Sequence, residues 1–245
     1  MTTMRALFAL LFGLLLIPDL AAQESAEIGK ALELRPIGPA LMGGRIADIA
    51  VHPDKPSTWY IGVGSGNVWK TTNGGVSFAP VFDDKPSYSI GDIAIDPSNP
   101  DVIWVGTGEN VSGRHVAWGD GVYRSLNGGA TWDHMGLPHS EHIGKILIDP
   151  RDSQRVFVAA EGPLWSGGGE RGFYRSEDGG QTWERTLSVN DDTGVTDIEF
   201  HPTNPDIIYA ATYQRRRKTW ALLAGGPESG FYKSTDGGAS FRRIT

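Results

Sequence analysis

Apolar and polar positions recur in two interleaved series along most of the chain. The first is a short apolar run ended by proline: Ile46-Ala-Asp-Ile-Ala-Val-His-Pro53, Ile90-Gly-Asp-Ile-Ala-Ile-Asp-Pro97, Ile143-Gly-Lys-Ile-Leu-Ile-Asp-Pro150 and Val195-Thr-Asp-Ile-Glu-Phe-His-Pro202. Each predicts a strand that stops where proline withdraws a backbone donor. The second series reads Ser/Thr-x-Asn/Asp-Gly-Gly-x-Ser/Thr-aromatic, beginning at Thr71, Ser125, Ser176 and Ser234. Its polar anchors are Asn73, Asn127, Asp178 and Asp236, at spacings of 54, 51 and 58 residues. Between the two series lie β-rich runs such as Val102-Ile-Trp-Val-Gly106 and Ile207-Ile-Tyr-Ala-Ala211, then Gly121-Val-Tyr-Arg124 and Gly230-Phe-Tyr-Lys233. Four strands per unit of about 50 residues predict an all-β chain of repeated antiparallel sheets, the signature of propeller blades. The blades are expected at about 46–84, 90–136, 143–187 and 195–245.

The repeated turn has a physical rationale. Asn or Asp accepts backbone N–H groups inside it, the glycines take positive φ, and the Ser/Thr hydroxyl closes it. The aromatic that follows is placed to pack between neighbouring sheets. Asn73, Asn127, Asp178 and Asp236 are therefore read as structural, not catalytic.

The N-terminus has a different pattern. Arg5 precedes the apolar stretch Ala6–Ile17, then Pro18 and the small pair Ala21-Ala22. This reads as a signal peptide over residues 1–22, since 12 residues of helix reach only about 18 Å against a bilayer core of roughly 30 Å. Residues 23–45 form an N-terminal segment in which Leu32–Gly38 is expected to be a closing outer strand. The expected location is secreted or periplasmic.

Composition narrows the chemistry. The net charge is −7, which argues against nucleic acid as a partner, and no cysteine is present for a disulfide or thiolate site. The six histidines show no metal-ligand spacing, so no metal or other cofactor is expected. Two of them, His52 and His201, interchange with Asp96 and Asp149 at the strand ends and are read as structural.

At its Asn/Asp-Gly-Gly boxes the chain resembles the Asp-box, or bacterial neuraminidase repeat, propellers over roughly Leu34–Thr245. Arg35–Arg45 and the first blade look most like secreted sortilin-like or glycosyl-hydrolase repeat proteins. The resemblance implies six, seven or ten blades in a closed ring, so the four visible blades are expected to belong to a larger propeller. In the xyloglucan-cleaving members a general-base aspartate stands on the first-blade loop, where this chain has Gly64 or Ser65. The arginine triad and tyrosine nucleophile of sialidases have no match here.

Blade topology puts the loops between second and third strands on one face, and there the chain carries its long variable segments. These are Glu109–Asp120, Glu161–Arg171 and Gln214–Ser229. Variable insertions gathered on one face mark a binding surface. Glu109, Arg114, Trp118, Asp120, Trp165 and Arg171 are the candidate ligand contacts, offering aromatic faces, forked donors and carboxylates to a glycan or protein ligand. Asp48, Asp92, Lys145 and Asp197 are expected to ring the channel mouth on the same face. The basic run Arg215-Arg216-Arg217-Lys218 is read as a solvated loop. The leading functional reading is a ligand-binding propeller. The alternative is a glycoside hydrolase using two loop carboxylates, with Asp120, Glu161 and Glu170 as candidates.

Overall fold

The computed structural model describes residues 44–111 and 113–245. The signal-peptide reading, the Leu32–Gly38 strand and Ser112 lie outside them. Among the described residues, seventeen strands make four antiparallel meanders, with no helix. The first sheet joins β1 (Ile46–Val51), β2 (Trp59–Val63), β3 (Asn67–Thr71) and β4 (Ala79–Pro80). The second joins β5 (Ile90–Ile95), β6 (Ile103–Thr107), β7 (Val122–Ser125) and β8 (Asp133–His134). The third joins β9 (Ile143–Asp149), β10 (Asp152–Ala160), β11 (Gly172–Ser176) and β12 (Glu184–Leu187). The fourth joins β13 (Thr193–His201), β14 (Asn204–Arg217), β16 (Gly230–Ser234) and β17 (Arg242–Arg243), with β15 (Leu222–Ala224) paired to the far end of β14. The first strands β1, β5, β9 and β13 follow one another side by side.

Strand alternation builds the seams between sheets, because successive side chains point to opposite faces. In β6, Ile103 and Val105 enter the seam with the first sheet beside Tyr60 and Phe82, while Trp104 enters the seam with the third. In β10, Val156 and Val158 face the second sheet, whereas Phe157 and Ala159 face the fourth. β6 and the second half of β10 are thus buried on both faces and read as continuous apolar runs.

The four boxes form one turn repeated. In the third, Ser176 Oγ donates to Asp178 Oδ1 at 2.8 Å and accepts from Gly180 N at 2.8 Å. Asp178 Oδ1 also accepts from Thr182 N at 2.9 Å, and Oδ2 from the Thr182 hydroxyl at 2.6 Å. Thr71/Asn73, Ser125/Asn127 and Ser234/Asp236 repeat the arrangement. Hydrogen bonds from Thr182 and Ser240 hold the Asp178 and Asp236 carboxyls down at about 2, so both stay ionised. The following aromatic ties adjacent blades: the indole N–H of Trp132 donates to Val81 O at 2.6 Å, and that of Trp183 to Met135 O at 2.6 Å.

The strand-end residues are also local braces. Asp96 and Asp149 each accept the backbone N–H two residues on, at 2.8 and 2.9 Å. His52 Nδ1 does the same for Asp54 N at 3.2 Å.

One expectation fails. The Gln214–Ser229 segment is not a plain loop: β14 continues to Arg217 and folds back as β15, because the backbone of Arg215–Arg217 pairs with Leu222–Ala224. The basic run is solvated only in part, since Arg215 is only 1% exposed, Arg216 and Arg217 are half-buried and Lys218 is exposed.

Candidate functional site

The long-loop face contains a channel mouth and an outer aromatic surface. The mouth is a cavity of about 450 Å³, lined by the starts of the inner strands and by the Glu109–Val111 loop. Each inner strand except β9 carries an aspartate there, next to a register shift in its pairing with the second strand. Asp48 Oδ2 accepts Ile93 N at 3.2 Å, and Asp92 Oδ2 accepts Ile146 N at 2.8 Å, so each carboxylate reaches the next blade. Lys145 breaks the series and places its ammonium 3.0 Å from Asp92 Oδ1.

Burial pushes the Asp92 carboxyl up to about 7; Lys145 opposes the shift and the Asp48 charge adds to it. Burial works against the Lys145 ammonium, but Asp92 outweighs it and the lysine is held charged. Lys145→Met is expected to lower stability by about 1–3 kcal/mol near pH 8 and by less near pH 5. The sign follows from linkage: without the lysine, the folded-state pKa of Asp92 rises still further above the unfolded value. The native acid then takes up a proton as pH falls, and the unpaired charge disappears. Urea unfolding at the two pH values checks it; an equal loss at both would contradict this account.

Glu109 borders the mouth but is 2% exposed. Arg45 donates to its Oε1, and among the described residues Oε2 has no hydrogen-bond partner. Its carboxylate fills the room that Gly64 leaves open, so a Cβ at residue 64 would collide with it. His142 Nδ1 lies 2.9 Å from the Glu109 carbonyl oxygen; burial and then Arg215 drive its imidazole down to about 3, so it stays neutral.

The other predicted residues divide by burial. Glu161 lies 2.7 Å from Arg215 Nη1, and both side chains are 2% exposed. Burial raises the Glu161 carboxyl, against the pull of Arg215 and Arg171. Arg171 is also buried and donates to the carbonyls of Glu161, Pro163 and Ser166. Burial first, then the Arg215 charge, brings its guanidinium down to about 10. These two residues brace their loop in the structure. Asp120 is half-buried, accepting the Tyr123 hydroxyl at 2.6 Å, and Glu170 accepts His139 N at 2.7 Å. Trp118, Trp165 and Arg114 are exposed, Trp118 by 70%.

Sequence reasoning placed Trp220 on a long loop but missed the hairpin that carries it, and it missed Arg45 and the Arg215 brace. A cleft of about 430 Å³ lies between Tyr88, Arg114 and Trp118, and another of about 320 Å³ between Arg216, Trp220 and Leu223. Arg114 connects them, because it lines the first and donates to Thr219 O at 3.2 Å beside Trp220. The signal for Lys145 was present in the sequence as the one unlike member of a four-fold series. No such signal marked Arg215.

These features define the class: an all-β propeller of four-stranded Asp-box blades with its variable loops on one face. The chain belongs to the Sortilin-Vps10 family, whose profile (Sortilin, neurotensin receptor 3) matches residues 120–245. It is also 24% identical over 256 aligned positions to xyloglucanase Xgh74A of Acetivibrio thermocellus, covering 93% of this chain and 29% of that protein. Among solved structures it resembles an ancestral GH74 enzyme, with a TM-score of 0.62, 21% identity and coverage of 82% of this chain and 25% of that one. The Niastella koreensis GH74 enzyme gives a TM-score of 0.60 at 21% identity, over 80% of this chain and 28% of that one. The chain thus spans less than a third of the length of these relatives. Among the described residues, no helix is long and apolar enough to cross a membrane.

Proposed function

We propose that this chain is the ligand-binding part of an exported, sortilin-like propeller that takes a glycan or protein ligand across its long-loop face. The observation that carries the reading is the pair of aromatic clefts joined by Arg114. Trp118 and Trp220 stand exposed on loops held by hydrogen bonds, which presents apolar ring faces at little ordering cost. Trp165 adds a third exposed ring on the neighbouring loop. Arg114 and Asp120 supply polar contacts beside Trp118, while Glu109 and Arg171 support the loops from beneath.

The proposal that further blades complete the ring rests on apolar residues left exposed on the end sheets: Ile49 and Val51 in β1, Phe231 in β16 and Ile244.

Titration with xyloglucan oligosaccharides, followed by tryptophan fluorescence and calorimetry, tests the site. Trp118→Ala is expected to weaken binding about tenfold with no change in melting temperature, because the ring is exposed. Unchanged affinity would remove Trp118 and its cleft from the reading. A saturable peptide ligand with the same Trp118 dependence would make the ligand class a protein.

Hydrolysis is the second reading. The likeness to a xyloglucanase and the Glu109 carboxylate in the space beside Gly64 favour it. It predicts release of new reducing ends from xyloglucan, abolished by Asp120→Asn or Glu109→Gln.

A further inference from the structure

We propose that the two aromatic clefts take an acidic glycan, with uronate carboxylates held by Arg114 and Lys218 and sugar rings on Trp118 and Trp220. This rests on the ligand-binding reading above and names the class of glycan.

No aspartate or glutamate lines the first cleft, of about 430 Å³, where Arg114 stands with Tyr88 and Trp118. The second, of about 320 Å³, has one carboxylate, Asp192, among Arg216, Lys218, Trp220 and Leu223. Arg216 matches Asp192 at 2.5 Å, which leaves the Lys218 ammonium over. Among the described residues no carboxylate stands within ion-pair distance of Arg114 or Lys218. In a chain of net charge −7, both clefts therefore carry an excess of positive charge.

Each cation stands with an exposed indole. Lys218 Nζ lies 5.9 Å from the centroid of the Trp220 ring, which is 82% exposed. Arg114 shares its cleft with Trp118 and gives one N–H to Thr219 O, next to Trp220, leaving the rest of its fork open. The hairpin tip is fixed in place, because Lys218 N donates to Ala221 O and Arg217 N to Leu164 O, both at 2.8 Å. A single oligosaccharide can run from Trp118 past Arg114 to Trp220.

Hydrogen-bond polarity separates an acidic from a neutral glycan. A sugar hydroxyl both donates and accepts, whereas a carboxylate only accepts. The charged groups left open here, on Arg114 and Lys218, only donate. A uronate answers them with charge-assisted bonds, and the planar fork of Arg114 matches a carboxylate. Its ring carbons can then lie on the indole faces. An acidic peptide would match the cations but bring little apolar surface to the two indoles.

The full chain is titrated by calorimetry with hexagalacturonate and hexamannuronate, each beside its methyl ester, and with polyglutamate. Esterification keeps the ring and removes the charge. At least one free acid is expected to bind, with its ester about tenfold weaker. Lys218→Gln is expected to weaken the acid about tenfold and leave the ester unchanged; the side chain is exposed, so the melting temperature should match the parent. Arg114→Gln also removes the Thr219 contact, so its readout is the ratio of acid to ester affinity. Loss of the charge contact lowers that ratio, whereas a loosened hairpin weakens both ligands alike.

Acid and ester binding alike would overturn the proposal, as would no binding by either uronate or an unchanged ratio in both variants. Polyglutamate binding with Lys218 dependence where the uronates fail would overturn it in favour of a protein ligand. If neutral xyloglucan oligosaccharides still bind with Trp118 dependence, only the acidic-glycan inference falls. If nothing binds, the ligand-binding reading falls with it.

Discussion

Replacing Arg215 with methionine is expected to destabilise the domain by about 3–5 kcal/mol, among the largest losses any single side chain here should produce. Arg215 is buried at the end of β14, with Nη1 2.7 Å from Glu161 Oε2 and 3.2 Å from the Val111 carbonyl. It therefore ties the long loops of the second and third blades to a strand of the fourth. Methionine fills similar volume but leaves the Glu161 carboxylate buried without its main partner. The loss should shrink as pH falls. Burial already raises the Glu161 carboxyl, removing arginine raises it further, and the native state then gains a proton that the unfolded chain does not yet hold. Urea unfolding near neutral pH and near pH 5 reads both effects. A second variant, Glu161→Leu with Arg215→Leu, removes both charges and should recover most of the loss. A double variant no better than Arg215→Met would show that the arginine acts through shape or through Val111, not through the ion pair.

Trp104→Ala is expected to cost about 3–5 kcal/mol, lowering the melting temperature by roughly 10 °C. Trp104 is 1% exposed in the seam between second and third sheets. Its ring stands edge-on to Trp183, 6.3 Å between centroids, with the Arg124 guanidinium 5.6 Å from its own centroid. Arg124 in turn donates to Gly179 O at 2.6 Å, within the third box. The indole also presses on Gly180, where a Cβ would come within 2.5 Å of Trp104 Cη2. That glycine therefore serves close approach as well as its φ of 84°. Alanine at 104 would open a cavity that this rigid seam fills poorly. Differential scanning calorimetry of Trp104→Ala beside Trp118→Ala makes the contrast, since the exposed indole should leave the transition unmoved. Equal shifts in the two variants would mean that the seam is not where the stability lies.

The boxes were legible because every contact that makes them is local. Ser176, Asp178, Gly180 and Thr182 lie within seven residues, so side-chain chemistry at fixed spacing specifies the turn wherever it occurs. The β-rich runs were legible for the same reason, whereas only the structure showed Trp104 and Ile103 in opposite seams. The long-loop carboxylates were not legible in this way. Glu109, Asp120, Glu161 and Glu170 look alike in sequence, yet Glu161 is paired inside the protein, Asp120 is held by Tyr123, and Glu109 meets Arg45 at the channel mouth. The basic run misled for a related reason: its charges suggest solvent until Arg215 is seen facing Glu161 and Arg216 facing Asp192.

By itself the sequence determined the repeated four-stranded unit, the turn that closes it and the face on which the variable loops gather. Those follow from backbone periodicity and from side chains a few residues apart. Only the tertiary structure decided which loop charges are spent on each other and which remain open to a ligand. Burial and ion pairing join residues from different blades, and no local spacing records who meets whom.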